Sequence, residues 1–130
     1  IPFMKTLKIP FSMAHMGMNL AKDGVDAPGF KALLELVNHG DRLAYVKFTG
    51  TYRMSKVPHF TDADPMAKAL IKAAPDRLIW GSDWPVLNLA ADYARWRTWS
   101  VAFLQQRCAP DAVHRVLDSN ARQMYQLTPV

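Results

Sequence analysis

The chain holds a single cysteine, Cys108, in 130 residues. One thiol can form neither an internal disulfide nor a cysteine-rich zinc site, which excludes a disulfide-stapled scaffold and points to a reducing, cytoplasmic location. The stretch Leu-Gln-Gln-Arg-Cys-Ala-Pro sets Cys108 at a helix end before a proline, with no histidine beside it, so it reads as inert. Long hydrophobic runs are missing as well. Charged residues interrupt the apolar stretches far short of the ~20 residues needed to cross a bilayer. The segment from Ile1 to His15 carries Pro2 and Pro10 where a cleavable leader would be one apolar block. No membrane partner is expected. Nor is there a basic run. The 16 Lys and Arg outnumber the 11 Asp and Glu, giving a net charge of +5, but they are scattered singly and not interleaved with aromatics. That argues against nucleic acid, while a mild positive field suits a small anionic substrate. Internal repeats and low-complexity tracts are absent too.

What is present is an alternation. With half of its residues hydrophobic, the chain can bury one modest core, and residues 1–130 read as a single partial domain. Ile9 to Ala14 has the character of a strand ending at His15. Gly29 to Asn38 spaces Phe30, Leu33, Leu34 and Val37 on one helical face, and His39-Gly40 closes that helix. Leu43 to Phe48 is a second strand. The polar stretch from Thr49 to Asp64 is too long for a mere connection and is a candidate substrate loop. Asp64-Pro65 opens a helix to Ala74, with the aspartate as N-cap. Leu78 to Trp80 is a third strand. Helices follow over Leu89 to Arg107, from Pro110-Asp111, and over Ser119 to Leu127. This order predicts an α/β fold with a parallel sheet and right-handed crossovers. Each strand is apolar on both faces, as if flanked by further strands, so the chain reads as part of a larger sheet or barrel. Standing alone it would have to cover its edges by association, making a homo-oligomer a possible state.

Three strand ends finish in chemically useful residues. In α/β folds the carboxyl ends of the strands are where catalytic side chains collect. Asp83 follows the third strand within Gly-Ser-Asp-Trp-Pro, placed to bind a divalent metal, to take a proton from water, or to cap a helix. His15 follows the first strand, either as a metal ligand or as a donor to a carbonyl that gathers negative charge. Arg53, with its neighbour Tyr52, follows the second. A guanidinium there grips a carboxylate through two parallel bonds, unless it is paired with Asp62 or Asp64. Lys47 alternates away from Val46 and Phe48 and reads as structural. Trp80 and Trp84 are expected in the core, with shaping of the pocket as the alternative, and His39, His59 and His114 carry no assigned role.

The segments AHMG, PGFKALLEL, YVKFTGTYRMS, APDRLIWGSDWP and SNARQMYQL, in this order over nearly the whole chain, resemble the C-terminal half of the amidohydrolase-related hydrolases. The similarity is greatest to the lactonase branch that includes the 2-pyrone-4,6-dicarboxylate hydrolases. GSDWPVLNLAADY is also similar to the sugar-lactone hydrolases of that branch. The resemblance implies the last three strands, about 6 to 8, of a (β/α)8 TIM barrel that opens a small carboxylated lactone. It places the sixth-strand histidine on His15, where it polarises the lactone carbonyl. The seventh-strand arginine falls on Arg53, with Tyr52 beside it, to bind substrate. The eighth-strand aspartate falls on Asp83, which activates water. It implies either no cofactor or one divalent ion, zinc or manganese, with His15 and Asp83 as ligands. Two departures stand out. Ala14 occupies the place of the aspartate that usually precedes the histidine, and the His-X-His of the first strand has no counterpart here. The isolated chain is therefore expected to be inactive. A metal-dependent non-oxidative decarboxylase on the same barrel, and a non-catalytic module that oligomerises, are the alternatives.

Overall fold

Short apolar strands that run in parallel need helices to return the chain across the sheet, and the order of elements supplies them. The computed structural model describes residues 1–84 and 93–128. Strands β1 (Phe11–Met13), β2 (Ala44–Phe48) and β3 (Leu78–Trp80) form one parallel sheet in the order β1-β2-β3. Helix α1 (Pro28–Val37) carries the chain from β1 to β2. The short α2 (Thr51–Met54) and then α3 (Asp64–Ala73) carry it from β2 to β3. Helices α4 (Tyr93–Arg107), α5 (Pro110–His114) and α6 (Asn120–Tyr125) follow.

Register decides which side chains meet. Met13 stands beside Val46 and Val46 beside Leu78, while Lys47 lies beside Ile79 and Phe48 beside Trp80. Side chains alternate across a strand, so Val46, Phe48 and Leu78 share the face covered by helices. There they are fully buried with Phe30, Leu33 and Val37 of α1 and Met66, Ala67 and Leu70 of α3. Phe48 meets Trp96 of α4 edge to face, with ring centroids 5.6 Å apart. Lys47 and Ile79 point to the opposite face, with Thr49 one step above Lys47, and line a cavity there.

Several elements depart from expectation for identifiable reasons. β1 starts at Phe11, because Pro10 has no N–H for the ladder, and Ile9 is left 66% exposed. On α1, Leu34 packs against the core as expected but is only partly buried, and Leu36 is buried as well, outside the core cluster. Asp64 is not an N-cap. The turns over Pro58–Ala63 already bring Ala63 to helical angles, so Asp64 falls inside the first turn, where its charge faces the positive helix end. The stretch after β2 is not an open loop but is wound into α2 and these turns, with Phe60 buried edge-on against Trp99. Trp80 keeps its indole N–H on Ser100 of α4 at 2.9 Å. Trp84, expected in the core, is 75% exposed. The first part of the long helix expected from Leu89 lies outside the described residues.

The two C-terminal helices expected after Pro110 run together. A π-helical turn over Arg115–Ser119 joins α5 to α6 and turns Asn120 inward. Its buried amide donates to the carbonyl oxygens of Pro75, at 2.9 Å, and Leu78, at 2.8 Å. One side chain thus satisfies the backbone on both sides of the entry to β3. Asn120→Ala in the full-length protein should cost about 1–3 kcal/mol, because two carbonyls lose their donor. A urea unfolding midpoint that does not move would show those carbonyls to be satisfied otherwise.

Candidate active site

Each of the three strands delivers its functional side chain through a tight local turn. After β1 the chain enters His15 and Met16 with φ of 52° and 47°, values that L-residues adopt only when packing holds them there. Packing does so, since Met16 is fully buried. After β2, Gly50 takes φ of 61° and swings the chain into α2, which presents Tyr52 and Arg53. A side chain at Gly50 would strike the imidazole, because its Cβ would lie 2.4 Å from His15 Nδ1. After β3, Gly81 passes so close to β2 that its Cβ would come 3.0 Å from Thr49 Cγ2. The indole N–H of Trp96 donates to the Gly81 carbonyl at 3.3 Å, which ties this turn to the core. Asp83 then sits at φ of 65°, a left-handed conformation that aspartate tolerates better than most residues.

The side chains converge. Tyr52 Oη donates to Asp83 Oδ2 at 2.5 Å, and Arg53 Nε donates to the same oxygen at 3.1 Å. The other oxygen, Oδ1, faces His15 Nε2 at 3.7 Å, too far for a direct hydrogen bond. Thr49 Oγ1 accepts the His15 backbone N–H at 3.3 Å and lies 2.9 Å from Nδ1. With Thr49 donating to Nδ1, a neutral imidazole carries its hydrogen on Nε2, facing Asp83. Among the described residues no backbone N–H donates to Asp83. The amide of Trp84 goes to Ser82 Oγ at 3.3 Å, and the amides a helix cap at Asp83 would hold lie outside the described residues. Arg53 pairs with neither Asp62 nor Asp64, since Asp62 is taken by Ser55.

The electrostatics follow from these contacts. Burial alone would raise the Asp83 carboxyl. The hydrogen bonds from Tyr52 and Arg53, together with the electrostatic pull of the nearby His15 and Arg53 side chains, outweigh burial and hold it below the usual carboxylate range. Burial pushes the Tyr52 hydroxyl up, and the adjacent Asp83 carboxylate pushes it further. Cys108 is half-buried, and burial raises its thiol, in keeping with an inert side chain.

Lys47 and Thr49 carried no functional assignment in the sequence. Lys47, read as structural, lines the cavity of about 360 Å³ that also holds His15, Thr49 and Asp83, and exposed Trp84 stands at the same cavity. Alternation along β2 does put Lys47 opposite Val46 and Phe48. Which of the two faces the helices cover is visible only in three dimensions.

A family model described as amidohydrolase matches residues 3–127. The chain belongs to the amidohydrolase family. It is 42% identical to the 4-sulfomuconolactone hydrolase of Hydrogenophaga intermedia over 85 residues, 63% of this chain and 27% of that protein. It is 28% identical to the D-galactarolactone isomerase of Agrobacterium fabrum across its whole length, which is 45% of that protein. The crystal structure of a Pseudomonas putida protein assigned as a 2-pyrone-4,6-dicarboxylic acid hydrolase superposes with a TM-score of 0.77 at 25% identity, over 95% of this chain and 45% of that one. The chain spans less than half the length of these relatives, and its parallel sheet is part of an amidohydrolase TIM barrel.

The donors available to a divalent ion can be tested against the geometry. His15 Nε2 and Asp83 Oδ1 face each other, but among the described residues no group of three or more His, Cys, Asp or Glu converges. The guanidinium of Arg53 already sits on Asp83, where a second cation is disfavoured. These two donors alone do not hold an ion.

Two measurements check this arrangement in the full-length protein. An NMR titration should find the Asp83 carboxyl protonating below its unfolded value of about 3.9. A depressed pKa contributes stability that is present above that value and lost as pH falls through the lower folded one. Tyr52→Phe should raise the Asp83 pKa, and no change would remove the short hydrogen bond from the account. Gly50→Ala should displace the imidazole and lower activity by about tenfold or more, as a misplacement near 1 Å does. Full activity in that variant would show the contact with His15 to be relaxed at no cost.

Proposed function

We propose that the full-length protein is a lactone hydrolase acting on a small, carboxylated lactone. The observation that carries this reading is an aspartate held by Tyr52 and Arg53 on one oxygen, with His15 Nε2 3.7 Å from the other, at the carboxyl ends of three barrel strands. A water held between Asp83 Oδ1 and the acyl carbon gives its proton to the carboxylate and forms the new C–O bond. The carbonyl electrons move to its oxygen, and the N–H at His15 Nε2 stabilises that oxyanion. As the tetrahedral intermediate collapses, the ring C–O bond breaks, and the leaving alkoxide takes the proton back from Asp83. The product is an open hydroxy acid. Arg53 commits Nε to Asp83, and its terminal nitrogens make no hydrogen bond among the described residues, so they are placed to grip the substrate carboxylate. The lactone chemistry named for the relatives supports this assignment. A divalent ion would need donors beyond His15 and Asp83.

The isomerase relative favours a second reading, in which the acyl group passes to another hydroxyl of the same molecule. Turnover in ¹⁸O-labelled water separates the two, since only hydrolysis places the label in the product carboxylate. Asp83→Asn is the variant that tests the role of the aspartate, because asparagine also accepts a positive φ. It should lower kcat by about 10²–10⁴-fold, with substrate binding changed little. A kcat equal to wild type would sink this role.

A further inference from the structure

The interior face of β2 carries a cation that the hydrolytic scheme does not use. Lys47 is half-buried on this face, between Tyr45 below and Thr49 above, and lines the same cavity as His15 and Asp83. Its register neighbour on β3 is Ile79, which is apolar. On the β1 side the next residue in register is Ala14, following the pairing of Met13 with Val46, and it too lines the cavity. A methyl group there leaves the lysine stem room and offers its ammonium no acid. Among the described residues Lys47 forms no ion pair, whereas Arg42, Arg53, Arg77, Arg115 and Arg122 each do. An anionic ligand in the cavity would give this ammonium the counter-ion it lacks among the described residues.

We propose that Lys47 is a specificity-determining residue that binds an anionic group of the substrate on the floor of the site. Arg53 stands at the mouth and Lys47 below, so the preferred lactone carries negative charge at two separated positions. The inference rests on the lactonase reading for its substrate and on the geometry of β2 for its residue.

The test uses the full-length protein in two ways. Calorimetry with succinate and glutarate needs no turnover. Wild type should bind at least one of them, Lys47→Met should bind it about 10- to 100-fold more weakly, and Lys47→Arg should recover most of the loss. Ala14→Asp places a carboxylate beside the ammonium and should weaken dicarboxylate binding similarly while Lys47 is intact. Kinetics with a neutral and a dicarboxylated lactone should show Lys47→Met raising KM for the charged substrate alone, with kcat kept within a few-fold. Failure of wild type to bind either dicarboxylate overturns the proposal. So does an equal loss on neutral and charged lactones, or a thermal unfolding midpoint that falls with binding unchanged, since either marks Lys47 as structural. Absence of lactonase activity with dicarboxylate binding lost in Lys47→Met would refute the reaction and keep the site.

Discussion

A carboxylate drawn out of water must be given new partners, and the carboxyl end of this sheet is arranged to supply them to Asp83. Two donors from the β2 side share its Oδ2, and an imidazole from the β1 side faces its Oδ1. This requires the three strand ends to lie at one height, which parallel pairing in a fixed register provides. It also requires the turns above them to approach more closely than side chains normally allow. Gly50 yields to the His15 ring, and Gly81 yields to Thr49. The glycines of Thr-Gly-Thr and Gly-Ser-Asp are therefore part of the electrostatics, because a methyl group at either would push a charged or polar partner out of reach.

The core beneath sets the precision of that arrangement. Phe48, Trp96, Trp99 and Phe103 form a connected aromatic group on the helix side of β2, with centroid separations of 5.2 to 6.4 Å. From it, Trp96 reaches the Gly81 carbonyl and so links the packing of α4 to the turn that presents Asp83. At the opposite end of the strands, Arg42 grips Asp76 with two hydrogen bonds of 2.8 and 2.7 Å, and Arg77 donates to the Arg42 carbonyl at 2.7 Å. These charges join the starts of β2 and β3, far from the chemistry. In barrels of this kind, polar residues at that end serve stability.

Much of this was legible in the residues, and the remainder was hidden for physical reasons. Strand β3 and its following turn announce themselves through Leu-Ile-Trp and Gly-Ser-Asp, and the convergence of His15, Arg53 and Asp83 follows from their shared position after strands. The edge of β1 was misplaced because Ile9 looks like strand until the missing N–H of Pro10 is counted. Asp64 resembled a cap because a cap is defined by backbone angles, which an Asp-Pro pair does not reveal. Asn120 gave no signal, since its partners are carbonyls 42 and 45 residues away. The direct pairing of Arg53 with Asp83 was equally invisible. An arginine at a strand mouth suits a substrate carboxylate and a protein carboxylate alike, and only the position of α2 decides which it meets first.

That pairing creates a tension within the site. A carboxylate held low by two donors is always ionised near neutral pH, but it is also a weak base, and proton transfer works best when the acceptor's pKa approaches the working pH. The geometry mitigates this by dividing the carboxylate. Tyr52 and Arg53 both act on Oδ2, which leaves Oδ1 on the side of His15 without a donor among the described residues. The proton of an attacking water would arrive at the oxygen that is not already hydrogen-bonded. The cost in basicity is offset by a carboxylate that cannot rotate, because a fixed acceptor orients the water before any bond changes. Loss of either donor would make Asp83 more basic and less well aimed, and the two effects oppose each other in the rate.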